Sequence, residues 1–385
     1  MKNRVLIIFL ALTMLLTSCH SDNLVKTENR KIKYDKPLDI KQDIEEIKEY
    51  KKFVRKTNYE NRAIRLTAVG DIMLGRRVGR ILNEKGLELA YKNLEGVFNS
   101  SDILFGNLES PISNRGRKLP GKEICLRARP EMVDVLKNSG FDIVSLANNH
   151  ILDYDTEALL DTFDILKKND IAYIGAGTNI EKARKPYITK IKGKTFAFLG
   201  YDEFAYIYYS NSYKRKFVAT DTLPGTAPLK SDTIIEDVNK IRKEVDYVVV
   251  SLHWGTEESN NINSTQKEIA HRLIDNGVDI ILGHHSHVIQ PIEIYKGKPI
   301  IYSMGNYIFD QNDENNKQGM AVEIVIEYGD IKEIHALPIY ILNKSEPIVA
   351  DGKKGDFIKN KIIRLSKKRD TASEIKGKGV RFKIE

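Results

Sequence analysis

Apolar and polar positions divide the chain into four segments. Residues 1–19 contain an unbroken apolar run, and residues 20–62 are rich in charged and amide side chains with little apolar periodicity. Over residues 63–345, short runs of β-branched and aromatic residues alternate with stretches of helical periodicity. Residues 346–385 form a basic C-terminal extension. The alternation predicts one α/β domain, which a polar tether connects to the first segment.

The alternating segment predicts a series of strands and helices. The predicted strands are Ile64–Val69, Ile103–Phe105, Ile143–Leu146, Tyr173–Gly175, Thr195–Leu199, Tyr247–Leu252, Ile280–Leu282 and Ile300–Tyr302. The predicted helices are Arg77–Leu87, Pro130–Ser139, Thr156–Lys168, Asp232–Glu244 and Thr265–Asn276. Beyond Gly319, two further apolar runs predict a hairpin that completes a sheet, Met320–Tyr328 and Ile331–Tyr340.

Six of the predicted strands are followed by clusters of polar residues, most of them with glycine. These clusters are Gly70-Asp71, Gly106-Asn107-Leu108-Glu109, Asn148-Asn149-His150, His253-Trp254-Gly255, Gly283-His284-His285-Ser286-His287 and Gly305-Asn306. In α/β sheets, ligand-binding and catalytic groups gather beyond the carboxyl ends of the strands. Five of the eight histidines lie in three of these clusters, so the set offers nitrogen and oxygen donors without a thiolate. Such donors favour Zn²⁺, Mn²⁺ or Fe.

Each cluster on its own also fits a structural role. Asp71 alone fits a turn or a helix cap, Glu109 fits a surface turn, and Asn148-Asn149 fits ordinary turn chemistry. His285 and His287 are the strongest single signal, because two histidines two positions apart after a strand can both face one cavity. A solvated loop is the alternative there.

Composition and charge limit the kinds of partner that the chain is expected to bind. The chain has 61 Lys and Arg against 53 Asp and Glu, a net charge of +8, and the excess is spread along the chain. Diffuse positive charge suits an anionic polymer or an anionic membrane surface, and without a basic stripe we expect no nucleic-acid partner. Two cysteines exclude a disulfide scaffold and a cysteine-based zinc cluster.

The first segment indicates the compartment. Lys2 and Arg4 precede an apolar run that is too short to span a bilayer comfortably, which predicts an export signal. The run ends in Leu16-Thr17-Ser18-Cys19, which resembles the bacterial lipobox. The resemblance implies cleavage before Cys19 and a lipid anchor on its thiol, which would hold the protein at the outer face of the cell membrane. The alternative is an ordinary secretory signal with a chance cysteine.

The ordered polar clusters resemble a known family. Together with His253-Trp254-Gly255-Thr256-Glu257 and Ser303-Met304-Gly305-Asn306, they resemble the CapA-like family of poly-γ-glutamate capsule biosynthesis proteins over roughly Ile64 to Phe309. That family is similar to the calcineurin-like metallophosphatases. The resemblance implies an α/β fold in which two mixed β-sheets pack as a sandwich flanked by helices, with two metals between the sheet ends.

The resemblance also implies roles for individual residues. With Glu109 bridging the two ions, the implied ligands are Asp71 and His287 for the first metal and Asn149, His253 and His285 for the second. His150 would donate a proton to the leaving group. Two metals that share a hydroxide can clamp the attacking and leaving oxygens of a displacement.

One position departs from the phosphatase pattern. Met73 stands where those enzymes have a metal-binding histidine, so the first metal would keep fewer protein ligands and one or two ions remain open. Arg76 and Arg77 lie just beyond and could bind an anionic substrate group through forked hydrogen bonds. A solvated first turn of a helix is the alternative for this pair.

Two classes of function follow. In the first, the chain is a metal-dependent hydrolase or transferase acting on a phosphoester or amide of an anionic polymer, poly-γ-glutamate or a wall polymer. In the second, it is a non-catalytic binding or assembly component beside the subunits of a membrane polymer synthase or exporter. The nearly complete set of ligands favours the enzyme. A solute-binding lipoprotein would not explain the histidines.

Overall fold

The structure is a computed structural model that describes residues 63–208 and 213–384. The predicted export signal, the lipid anchor at Cys19 and the polar tether lie outside these residues. Along the described ranges, no helix combines the length and hydrophobicity that a membrane span requires.

The apolar runs of the sequence form the strands. They are β1 (Ile64–Ile72), β2 (Ile103–Leu108), β3 (Ile143–Ser145), β4 (Ala172–Ile174), β5 (Ala176–Gly177), β6 (Tyr187–Ile191), β7 (Lys194–Asp202), β8 (Gly225–Thr226), β9 (Tyr247–His253), β10 (Ile280–His284), β11 (Ile292–Tyr295), β12 (Lys298–Ile301), β13 (Asn306–Ile308), β14 (Gln318–Glu327), β15 (Asp330–Leu342), β16 (Glu346–Val349), β17 (Glu374–Lys376) and β18 (Gly379–Lys383).

The stretches with helical periodicity form helices between these strands. They are α1 (Arg76–Lys85), α2 (Val133–Asn138), α3 (Asp155–Lys168), α4 (Ile180–Ala183), α5 (Ser231–Ile241), α6 (Ser264–Asp275) and α7 (Gly352–Lys367). Helix α6 begins with a capping box, in which Asn263 and Gln266 satisfy each other's backbone N–H groups. The predicted helix over Pro130–Ser139 is a 3₁₀ turn followed by the short α2.

Two mixed sheets carry most of the strands. The larger has the order β17-β18-β15-β14-β1-β2-β3-β4, with β13 beside β1 and β16 beside β15. The smaller has the order β11-β12-β10-β9-β7-β6. The predicted hairpin is β14-β15, and β14 pairs with β1 so that it extends the larger sheet, as expected.

The two sheets pack face to face, and helices cover their outer faces. Between the sheets, Phe105 of β2 stacks on Phe198 of β7 with ring centroids 6.2 Å apart, in a core that also buries Leu282 and Ile324. Apolar residues of α1, α2 and α3 pack on the outer face of the larger sheet, and those of α5 and α6 on the smaller. The predicted sandwich of two mixed sheets flanked by helices is confirmed.

The inner strands run further toward their carboxyl ends than the sequence analysis placed them. β1, β2, β7, β9 and β10 each extend one to three residues beyond the predicted end. Asp71 is paired with Asn107 in the larger sheet, and His253 with His284 in the smaller one. Backbone pairing therefore fixes these polar side chains at the ends of the ladders.

The basic C-terminal extension expected over 346–385 packs on the rest of the domain. Strands β16 and β18 both pair with β15, and α7 buries Ile358, Ile362 and Leu365 in the core between the sheets. The basic residues of α7 mostly occupy its exposed face. Charge dominates the composition of this segment, but its apolar residues recur at helical spacing and anchor it to the domain.

Candidate metal centre

The polar ends of both sheets meet in one buried cluster. Asp71 lies near the end of β1 and Glu109 directly follows β2, while His253 ends β9 and His285 directly follows β10. None of these four side chains is more than 3% exposed. Donors from two different sheets therefore share one water-poor site, as the carboxyl-end clusters predicted.

A close approach between backbones positions Asp71. A Cβ at Gly70 would lie 1.9 Å from the carbonyl oxygen of Gly305, so no larger residue fits there without displacing the backbone. This contact lets the Asp71 N–H donate to the same carbonyl at 2.9 Å. Glycine before Asp71 is thus required by the packing that aims the carboxylate.

The turn after β10 holds two histidines in an unusual conformation. His285 and His287 have φ values of 94° and 56°. Positive φ costs a residue with a side chain roughly 1–3 kcal/mol, and such strain concentrates at functional sites. A hydrogen bond from Ser286 Oγ to the carbonyl of Val288 at 2.9 Å supports the turn.

The first group of donors contains Asp71, Glu109 and His287. One ligand atom from each lies within 4.8 Å of the others. His287 Nδ1 is 3.3 Å from Asp71 Oδ2, and His287 Nε2 is 3.6 Å from Glu109 Oε1. Two carboxylates and an imidazole at this spacing can hold a divalent ion.

The second group contains Glu109, His253 and His285, again within 4.8 Å of one another. His253 Nε2 lies 3.0 Å from His285 Nδ1 and 3.0 Å from Asn149 Oδ1. It is also 3.9 Å from Glu109 Oε1. Two imidazoles, an amide oxygen and a carboxylate oxygen therefore converge on one point.

Glu109 belongs to both groups, and its environment favours a bound cation. The side chain is fully buried, and its Oε1 atom has no hydrogen-bond partner among the described residues. Burial, with the charge of Asp71, raises the pKa of Glu109 well above its usual value. A bound divalent ion would pair with the carboxylate. It would thereby offset the cost of burying this charge and its repulsion from Asp71. The residues present thus fit a metal.

The histidines of the second group are suited to ligation. Burial, reinforced by neighbouring histidines, lowers the pKa of His253 well below its usual value. Burial and the charge of His287 lower the pKa of His285 to about 3. Both imidazoles are therefore neutral at pH 7, and neutral imidazole is the form that binds metal ions.

His150 sits beside both groups, held by a network behind it. Its Nδ1 lies 2.6 Å from Asp153 Oδ2, and its Nε2 lies 4.0 Å from Glu109 Oε1. Lys122 forms a buried ion pair with Asp153 and also donates to the carbonyl of Asn149. The network therefore turns one ring nitrogen of His150 away from the metal groups and the other toward them.

Three residues of the site were not assigned roles from the sequence. Asn107 Nδ2 donates to Asp71 Oδ1 at 2.9 Å, and Asn306 Oδ1 lies 3.0 Å from His287 Nδ1. His284 is fully buried with neither ring nitrogen hydrogen-bonded in the described residues, and its Nδ1 is 3.4 Å from Asp71 Oδ1. All three lie inside the polar clusters of the sequence, which was the available signal. No such signal marked Lys122 or Asp153.

Met73 and the two arginines lie apart from the donors. Met73 is buried in the core beneath the helices, so the first group keeps three ligands without it. Arg76 forms a two-pronged ion pair with Asp310, whose carboxylate also accepts from the backbone N–H of Arg77. The structure therefore neutralises Arg76 locally and leaves its predicted role in substrate binding without direct support.

The side chains of one further histidine and of the tryptophan beside His253 pack outside both donor groups. His271 lies outside the site, 2.9 Å from Glu293 and stacked on Tyr295. Trp254 is 1% exposed and stacks on Tyr302, which agrees with a packing role.

Comparison with known proteins identifies the family to which the chain is similar. The family described as "Bacterial capsule synthesis protein PGA_cap" matches residues 65–311. The PGA biosynthesis protein CapA of Bacillus subtilis is 33% identical over 85% of this chain and 84% of its own length. The capsule biosynthesis protein CapA of Bacillus anthracis is 31% identical over 79% of this chain and 73% of its own length. A probable polyglutamine synthesis accessory protein of Mycobacterium tuberculosis is 27% identical over 70% of this chain and 73% of its own length.

These matches confirm the resemblance that the ordered polar clusters indicated. The family match covers every residue of both donor groups. The chain belongs to the PGA_cap family of bacterial capsule synthesis proteins.

Proposed function

We propose that this chain acts in capsule or poly-γ-glutamate biosynthesis as a metal-dependent hydrolase or transferase on an anionic polymer. The observation that carries the proposal is Glu109, which is shared by two donor groups and has a buried carboxylate oxygen without a hydrogen-bond partner. A binding surface for a polymer would not need such a residue. The names of the relatives in Bacillus and Mycobacterium support the pathway and the polymer class.

Six residues would hold the metal. They are Asp71 and His287 at the first position, Asn149, His253 and His285 at the second, and Glu109 at both. When bound, one or two Mn²⁺, Zn²⁺ or Fe ions supply Lewis-acid polarisation of a phosphoryl or carbonyl oxygen and lower the pKa of water. The carboxylates and histidines fix where that chemistry occurs, and burial between the sheets keeps bulk water out.

His150 would donate the proton to the leaving group. Because Asp153 occupies Nδ1, Nε2 is the nitrogen that can exchange a proton with a substrate. Burial, partly opposed by the charge of Asp153, lowers the pKa of His150 to about 4, so the free site holds a neutral imidazole. An anionic substrate group next to the ring would raise that pKa and load the proton before the bond breaks.

The proposal extends to location and partners. The lipobox-like Leu16-Thr17-Ser18-Cys19 supports an anchor on the outer face of the cell membrane, where a growing capsule polymer emerges. Subunits of a membrane polymer synthase would then lie within reach of the tethered domain.

Two observations favour the second candidate, a non-catalytic assembly component. Met73 leaves the first group with three protein ligands, and Asp310 neutralises the nearest arginine. A weak or absent first ion would remove the pair of metals that a displacement uses. In that case the pocket would bind the polymer without cleaving or transferring it.

The turnover rate per bound metal ion, measured in two variants, distinguishes the enzyme from the assembly component. His150→Ala should keep its metal and lose about 10²–10⁴-fold in turnover of a phosphodiester or of poly-γ-glutamate, because it removes a proton donor. His253→Ala should lose metal and turnover together, whereas His271→Ala should retain both. Both quantities are measured with Mn²⁺ supplied near neutral pH.

Two results would contradict the enzyme. If His150→Ala turns over as fast as wild type, His150 is only a structural turn residue. If the metal-loaded wild type turns over neither phosphoesters nor amide polymers, the assembly component takes its place.

A further inference from the structure

A group of aromatic and basic side chains lies at the protein surface, on the segments before and after β8. We call Tyr206, Tyr208, Lys216 and Lys230 the basic aromatic surface. Tyr206 is 43% exposed and Tyr208 is 50% exposed. The Lys216 ammonium lies 4.7 Å from the ring centre of Tyr208, and the Lys230 ammonium lies 4.6 Å from that of Tyr206. Two cations are therefore spread over two tyrosine rings at the protein surface.

The charge of this surface is not neutralised. Among the described residues, neither Lys216 nor Lys230 has an ion pair with a carboxylate, and Lys214 nearby is also exposed. The carboxylate of Glu203, on the same segment, accepts a hydrogen bond from the backbone N–H of Gly255 at 2.7 Å. Since the tyrosine rings hold the ammonium groups without cancelling their charge, both remain available to an anion.

The segment that carries Tyr206, Tyr208 and Lys216 contacts residues of the metal centre and its surroundings near both of its ends. Phe204, two residues before Tyr206, has its ring 4.1 Å from that of His285. At the other end of the segment, the Val218 N–H donates to the Ala205 carbonyl at 2.7 Å, which closes the base of the loop. Phe217 lies 5.0 Å from the ammonium of Lys122, the residue that holds the turn before His150.

We propose that the basic aromatic surface binds the carboxylates of an anionic polymer chain and leads that chain to the metal centre. This inference rests on the proposed function, because it gives the polymer a docking site beside the same donors. Charge complementarity selects the ligand: separated cations match a linear chain with repeated carboxylates, and the tyrosine rings offer its backbone a flat apolar contact. The surface continues directly into the segment that contacts His285, which a membrane-binding patch would not require.

Binding of fluorescently labelled poly-γ-glutamate to the full chain tests this. The probe is a polymer of defined length, and fluorescence anisotropy gives its dissociation constant. The double variant Lys216→Gln, Lys230→Gln should raise the dissociation constant about tenfold or more, because it removes two charge-assisted contacts. The matched control is Lys376→Gln, Lys378→Gln, which removes the same charge from an exposed hairpin near the C-terminus and should bind as tightly as wild type.

The outcomes separate the alternatives. Unchanged affinity in the double variant, or an equal loss in the control, overturns the inference, since only net charge would then matter. A double variant that loses binding to phosphatidylglycerol vesicles but keeps binding to the polymer would make this a lipid surface, which also overturns it. Metal content of the double variant should equal that of wild type. The wild type could bind no metal and show no turnover while Lys216 and Lys230 still determine its affinity for the polymer. In that case the proposed function is wrong, but the basic aromatic surface remains the binding site for the polymer.

Discussion

At the residue scale, the centre is organised around the protonation states of a few buried groups. Burial alone would lower the pKa of His287, but the charges of Glu109 and Asp71 raise it to about 10. His285, only two residues away, has its pKa lowered to about 3 by burial and by His287. One imidazole thus holds a proton at pH 7 and the other does not. A metal ion must displace the proton of His287 in order to use that imidazole as a ligand.

This difference predicts that metal binding releases protons. Because His287 carries a proton at neutral pH when no metal is bound, affinity for Mn²⁺ should fall as the pH is lowered from 8 toward about 5. Titration calorimetry in buffers of different ionisation enthalpy measures the number of protons released. We expect about one proton per chain near pH 7, with no contribution from His285. An ion that binds without proton release would show that His287 is not a ligand.

At the element scale, each inner strand carries its polar residues at the end of a paired ladder. The continuous apolar runs in the sequence located these strands, because such runs are typical of strands that are buried on both faces. The polar clusters beyond them could be read as one site because parallel strands end at one edge. Donors such as Asp71, Glu109, His253 and His285 could therefore be proposed before their distances were known.

Other features depend on contacts between distant residues and could not be predicted. The ion pair between Arg76 and Asp310 joins positions 234 residues apart, and it involves one of the two cations that the local sequence suggested for substrate binding. Asp153 and Lys122 orient His150 from a segment with no recognisable pattern. The net charge of the C-terminal segment concealed the apolar face of α7, because composition ignores which side of a helix each residue occupies.

Two substitutions in helix α7 test whether its apolar face anchors the C-terminal segment to the core. Ile362 is 1% exposed in the core between the sheets, so Ile362→Ala should lower the free energy of unfolding by about 2–5 kcal/mol. Phe357 on the same helix is 61% exposed, and Phe357→Ala should change it by less than about 0.5 kcal/mol. Urea unfolding followed by circular dichroism measures both. Equal, small effects would mean that α7 does not anchor residues 346–385 to the core between the sheets.

At the scale of the whole molecule, the proposed anchor determines where the site can act. Lipidation at Cys19 would place the domain outside the membrane on a polar tether of residues 20–62. The net charge of +8 then favours contact with anionic polymers or lipids near that surface.

Replacing Cys19 tests the location. Cys19→Ala should abolish incorporation of a palmitate analogue and leave the precursor unprocessed, because the proposed lipid attaches to that thiol. Cys125→Ala, which removes the half-buried cysteine of the domain, should label like wild type. Metabolic labelling followed by membrane fractionation gives the result. Equal labelling of Cys19→Ala and wild type would remove the anchor from the proposal.

The central claim is that a metal ion occupies the space around Glu109. The most direct measurement is Mn²⁺ binding by titration calorimetry and elemental analysis of wild type, Glu109→Gln and Glu293→Gln. Glu293 is a buried glutamate outside the site, paired with His271. Wild type and Glu293→Gln should bind one or two ions per chain. Glu109→Gln should weaken binding at both positions by more than about tenfold. Wild type that binds no Mn²⁺, or Glu109→Gln that keeps both affinities, would contradict the metal centre.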